Sequence, residues 1–168
     1  MKTRTIIGLT AATGLAIALP LLAAQRLAAR TGLWENTVTM SVGLNMPQEQ
    51  LDQLPAEVRS QMGIGTPRVI TERSCMTEKD LDADTFRDSM QESLEDCDYK
   101  HITDSAKRQE WTFQCKAQGG TATGRMLVDV VSEQQVRATM EMRSPEATMD
   151  VKVDARWVQA SCEGATAN

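Results

Sequence analysis

The sequence predicts a mainly β (α+β) domain, built as a single curved antiparallel sheet or a partly closed barrel of about seven strands. The prediction rests on two observations, an alternation typical of strands and a scarcity of helical spacing. Residues 97–157 alternate apolar and polar side chains between turn signals, and residues 31–42 show the same alternation. That period is typical of strands with one buried face. Apolar residues recur at helical spacing in only two stretches, near 48–62 and 77–94.

The first predicted elements are a strand and a helical excursion. In residues 31–42, the side chains of Trp34, Val38 and Val42 share one face. Next, apolar residues recur three or four positions apart, at Leu51, Leu54, Val58 and Met62. Because Pro55 interrupts this pattern, it predicts two short helical turns near 48–62, the second beginning near the proline.

A second strand and a longer helix follow. Residues 66–75 read as a strand whose facing is ambiguous. Thr77 is a typical N-cap, and Asp80 is placed to reach back to it. The apolar stripe through Phe86 and Leu94 has helical spacing. One helix, or two short ones, is therefore expected near 77–94, against or beside the apolar face of the sheet.

The remaining chain predicts an antiparallel meander that opens with a hairpin. In one register, Cys97 faces Cys115, Tyr99 faces Phe113 and His101 faces Trp111. Because three compatible pairs arise together, we expect this register. Three further strands follow, separated by turn signals. The predicted inward set is Trp34, Val38, Trp111, Phe113, Met126, Val128, Ala138, Met140, Val151 and Val153.

The first 24 residues predict an export signal. Lys2 and Arg4 precede the uncharged run 6–24, as in a signal peptide whose cleavage leaves one domain over 25–168. The alternative is an uncleaved anchor, because a run of this length can span a bilayer. The expected location is the periplasm, or the inner membrane facing the periplasm. Membrane contact is expected only if 6–24 is retained.

The cysteines fit an oxidising compartment. There are four, none in the signal and none in a Cys-x-x-Cys pair, which favours two structural disulfides. The hairpin register brings Cys97 opposite Cys115, close enough for a disulfide. That leaves Cys75, at the end of the second strand, to pair with Cys162, just past the last strand.

Several short motifs resemble one family. Gly32-Leu33-Trp34-Glu35 follows the signal, Cys75-Met76-Thr77-Glu78-Lys79-Asp80 follows the second strand, and the later cysteines come in the expected order. Over roughly 31–162 the chain resembles the bacterial envelope domain-of-unknown-function family numbered 3617. The resemblance implies class and compartment. It implies no activity and carries over no catalytic residue.

Composition narrows the function classes. A net charge of −5 disfavours a nucleic-acid partner, and a single histidine disfavours multi-His metal sites and Ser-His or Cys-His hydrolases. No nucleophile-elbow, phosphate-loop or zincin string occurs. The sequence therefore favours a protein that is not an enzyme, with no catalytic residues, no cofactor and no resident metal.

Five inward residues are possible ligand-facing positions. Three are tryptophans, which line a small cavity in some barrels and fill a solid core in others. Two are methionines, whose thioethers suit Cu(I) but more often fill cores. These five positions are Trp34, Trp111, Trp157, Met126 and Met140.

Three functions stay open at this point. The leading one is an exported, non-enzymatic envelope protein that binds a protein partner or a small apolar ligand. The second is an accessory subunit of a membrane complex, tethered by an uncleaved 6–24. The third is a methionine-based Cu(I) binder. An enzyme of unrecognised type is the least favoured, because no catalytic motif occurs.

Overall fold

The computed structural model describes residues 26–82, 85, 97–117 and 120–166. Within them lie seven strands and two short helices. In chain order these are β1 (Gly32–Leu44), α1 (Gln48–Gln53), α2 (Ala56–Met62), β2 (Arg68–Met76), β3 (Cys97–Ser105), β4 (Arg108–Ala117), β5 (Gly120–Ser132), β6 (Gln135–Arg143) and β7 (Ala147–Gln159). The predicted signal segment 1–24 lies outside the described residues.

All seven strands belong to one antiparallel sheet, in the spatial order β2-β1-β7-β6-β5-β4-β3. Within the described residues the sheet is open, and β2 and β3 are its two edges. The mainly β class is confirmed, as is the predicted hairpin register, since Cys97, Tyr99 and His101 face their expected partners. A bulge follows His101.

The helical excursion between β1 and β2 is confirmed as two short helices. Pro47 and Pro55 precede them as N-caps, where the missing N–H of proline costs nothing. Gly63 ends α2 in the left-handed region with φ of 73°. A side chain there would also meet the carbonyl oxygen of Met40, so glycine is required for two reasons.

The predicted helix near 77–94 lies largely outside the described residues. Its first part, residues 78–81, is a turn, and Thr85 is helical. The Thr77 N–H and hydroxyl both donate to the Asp80 carboxylate at 2.6 Å, the reach-back contact expected from the sequence. Leu81 is 1% exposed.

Both expected disulfides are present, Cys97–Cys115 between the paired strands β3 and β4, and Cys75–Cys162 between β2 and the C-terminal segment 160–166. The second bridge does not close the sheet. It fastens the C-terminal segment beside the β2 edge, where the Thr166 N–H and hydroxyl donate to the Arg73 carbonyl at 2.9 and 2.6 Å. Because edge carbonyls lack a strand partner, this contact caps part of an exposed edge.

Candidate ligand-binding face

Strand register divides the sheet into an apolar face and a charged face, because directly paired residues point to the same side. Trp34 pairs with Trp157, and Val38 pairs with Val153. On the opposite side, Glu35 pairs with both Arg73 and Arg156. The predicted separation of the faces is therefore observed.

The apolar face is packed closed at one end and along β4 and β5. We call this region the closed end. Its buried residues are Trp34, Trp111, Met126, Val128, Val136 and Ala155, all at most 8% exposed. This cluster is the core of the described domain.

The segment 26–31 helps to cover the closed end. The Leu27 N–H donates to the Leu81 carbonyl at 2.9 Å, and the Ala28 N–H donates to the Ala106 carbonyl at 2.7 Å. Leu27 and Ala29 pack against the core. These backbone bonds hold the segment across the face, a role that the sequence did not indicate.

Two indole groups anchor the same segment. The Trp34 Nε1–H donates to the Arg30 carbonyl at 2.9 Å, and the Trp157 Nε1–H donates to the Thr31 carbonyl at 3.0 Å. The Arg30 guanidinium lies 5.3 Å from the centre of the Trp157 ring, within range of a cation–π interaction. Both indole donors are thus satisfied, as buried indoles require.

The rest of the apolar face, on β1, β7 and β6, is only half-buried. We call these residues the open patch. Its members are Val38, Met40, Val42, Ala138, Met140, Met142, Met149, Val151 and Val153. Aliphatic and thioether side chains alone make up this patch, so it offers a surface for apolar contact.

The five predicted ligand-facing residues share the apolar face but not the same exposure. Trp34, Trp111 and Met126 are buried at the closed end. Trp157 is half-buried beneath Arg30. Met140 alone belongs to the open patch.

Aromatic pairs extend the apolar face toward the β3 edge. His101 stacks on Trp111 with ring centres 5.1 Å apart, and Tyr99 lies 6.1 Å from Phe113. Burial raises the pKa of the Tyr99 phenol. The Phe113 ring occupies the space that a side chain at position 124 would need, so β5 has Gly124 there.

The charged face carries a network of ion pairs, most of them between neighbouring strands. Asp154 accepts hydrogen bonds from Arg156, Arg137 and Gln135 at 3.1 to 3.3 Å. The hydrogen bond from Arg156 is the main cause that lowers the pKa of this carboxyl. Because these charged groups pair with one another at the solvent boundary, we interpret this face as an ordinary solvated surface.

A cavity of about 370 Å³ lies mainly on the charged side of β1, β7 and β6. Its lining combines residues of the charged face with three apolar residues, two of which belong to the open patch. The charged-face residues are Thr39, Ser41, Thr139, Glu141, Asp150 and Lys152, and the apolar residues are Pro67, Met140 and Val151. None of the three tryptophans lines it. The described part of the chain contains no cluster of three His, Cys, Asp or Glu side chains placed to hold a metal ion.

A family model described as "Protein of unknown function (DUF3617)" matches residues 29–162. The chain belongs to this family. The match covers β1 through Cys162 and so includes the whole described sheet and both disulfides. Neither curated proteins nor solved structures give a match.

Two further observations concern compartment and site. Within residues 26–82, 85, 97–117 and 120–166, no helix has the length and apolar character to cross a membrane. The two disulfides fit an exported protein.

One buried polar residue on the apolar face was not expected from the sequence. Gln109 is 1% exposed there, opposite Val128. Alternation alone predicts which face a side chain is on and not how deeply it is buried.

Proposed function

We propose that the protein is an exported, non-enzymatic binding protein whose open patch holds a small apolar ligand. The observation that supports this is the unequal burial of one face. The closed end is packed by tryptophans and by segment 26–31, while the nine apolar side chains of the open patch are only half-buried. Three of the nine, Ala138, Met140 and Val153, also pack against the core cluster. An apolar ligand gains free energy by removing such surface from water.

The size of the open patch favours a small ligand over a protein partner. Three strands are about 10 Å wide, and the span from Val38 to Val42 is about 14 Å. A stable protein–protein interface buries about 800 Å² on each partner. A patch of this size matches an acyl chain or a compound of a few rings.

The test is a titration with N-phenylnaphthylamine, an apolar probe that gains fluorescence in apolar surroundings. We expect saturable binding to the folded protein. The V151T/V153T variant keeps the shape of both side chains while adding hydroxyl groups to the patch, and we expect at least fivefold weaker binding. The control K152Q lies between these positions on the same strand and points to the charged face, so its affinity should match that of the wild type.

Two results would overturn the proposed function. The first would be an absence of saturable probe binding by the folded wild type. The second would be a V151T/V153T variant that has an unchanged unfolding transition and binds the probe as tightly as the wild type does. Either result would favour a protein partner instead, because the open patch would then not be the site of a small ligand.

We also propose that the mature chain is periplasmic and begins after Ala24. The support is the signal-like segment 1–24 together with the disulfides. N-terminal sequencing of the protein from cells tests this proposal. A chain that begins at Gln25 or later supports it, and an intact Met1 in the membrane fraction would establish the anchored alternative.

A further inference from the structure

Five of the ten methionines of the chain lie in one region of the apolar face. Met126 of β5 is directly opposite Met140 of β6, and Met142 of β6 is directly opposite Met149 of β7. Met40 follows on β1, separated from Met140 by Val151. We call Met140, Met142 and Met149 the thioether triad.

The register brings the triad within reach of one point. Directly opposed side chains have Cβ atoms about 4.5–5.5 Å apart, and residues two apart on a strand are separated by about 7 Å. A methionine sulfur is carried on three rotatable bonds. The sulfurs of Met140, Met142 and Met149 can therefore converge above the sheet without any change in the backbone.

The burial of these methionines separates two roles. Met126 is 7% exposed and belongs to the core cluster, as expected of a side chain that fills irregular space. The triad residues are half-buried within the open patch, and Met140 also packs against the core cluster. Their side chains are thus held by the sheet and keep part of their surface in contact with solvent.

We propose that the thioether triad binds one Cu(I) ion. Thioethers are soft, neutral donors that select Cu(I) over hard cations. Three thioether donors leave the single positive charge of Cu(I) in place, and a half-buried position beside water tolerates this charge better than the core would. This inference goes beyond the proposed apolar ligand, because it needs the sulfurs and not the apolar area.

The experiment uses the mature protein and two probes: Ag(I), a redox-inert substitute for Cu(I), and Cu(I) itself in anaerobic competition with bicinchoninate. The test variant is M142L/M149L, because leucine replaces methionine in cores at small cost. The matched control is M62L/M76L, which also loses two thioethers. Met62 lies in α2, and Met76 lies at the closed end.

We expect the wild type and M62L/M76L to bind one equivalent with equal affinity, and M142L/M149L to bind at least tenfold more weakly. In spectra of ¹³C-methyl-labelled methionine, Ag(I) should shift the methyl signals of Met140, Met142 and Met149 and leave those of Met62 and Met76 in place.

The proposal is wrong if the wild type does not compete with bicinchoninate. It is also wrong if M142L/M149L, with a cooperative unfolding transition, binds either ion as the wild type does. N-phenylnaphthylamine binding by M142L/M149L separates the two proposals. If M142L/M149L still binds N-phenylnaphthylamine but no longer binds Ag(I), the loss of metal binding is due to the missing sulfurs and not to a change in the apolar surface.

Discussion

Removing the Cys75–Cys162 disulfide is expected to destabilise the protein more than removing the Cys97–Cys115 disulfide. The two bridges have sequence separations of 87 and 18. In the chain-entropy model, closing the longer loop contributes about 4.6 kcal/mol and closing the shorter loop about 3.2 kcal/mol. The predicted difference is therefore about 1.4 kcal/mol.

The local surroundings of each bridge bear on this difference. The longer bridge also holds the C-terminal segment against Leu33, which is 2% exposed. The same segment carries Thr166, which donates hydrogen bonds to the β2 edge. The shorter bridge joins two strands that are already paired along their length, apart from the bulge after His101. Both considerations favour a larger loss at the longer bridge.

Urea unfolding of the C75A/C162A and C97A/C115A variants, followed by circular dichroism, measures both losses. Each variant keeps the other disulfide and so serves as the control for it. A smaller loss of unfolding free energy in C75A/C162A than in C97A/C115A would refute the reasoning, since it would mean that loop length does not determine the order.

Three further predictions concern single side chains. V128A should lower the free energy of unfolding by about 2 kcal/mol and M140A by about half as much, because Val128 is buried and Met140 is half-buried. Urea unfolding midpoints test this order, and equal losses in the two variants would contradict it. G124A should cost about 1–3 kcal/mol, because the added methyl overlaps the Phe113 ring, and F113L/G124A should recover part of this loss. The pKa of Asp154 is lowered in the fold, so its contribution is present above the ordinary carboxyl pKa, near 3.9, and is lost as the pH falls below it. D154N should therefore flatten the acid limb of the stability profile and cost at most about 1 kcal/mol at pH 7, and an unchanged acid limb would show that this carboxyl is not responsible.

The sheet could be predicted where alternation and pairing agreed. At the hairpin, a disulfide pair and two aromatic pairs all required the same register, so one choice satisfied every contact. At β2 the same reasoning did not predict which side chains point to the apolar face, because both sides of an edge strand have contact with solvent. Val69 is 62% exposed there, whereas Ile70 on the other side is half-buried.

The candidate site was predictable only in part. Alternation placed three tryptophans and two methionines on one face, which the register confirms. Which of them are covered depends on segment 26–31, whose packing rests on backbone bonds to Leu81 and Ala106. Such long-range contacts have no local sequence signal, so the boundary between the closed end and the open patch came from the structure alone.

Native mass spectrometry of the protein purified from its own compartment tests the central claim most directly. The proposed function predicts a chain with both disulfides intact that carries one small apolar molecule, and a V151T/V153T chain from the same source that carries less of it. A wild-type chain that is always bare, or that carries the molecule to the same extent as V151T/V153T, would contradict the claim that the open patch is a ligand site.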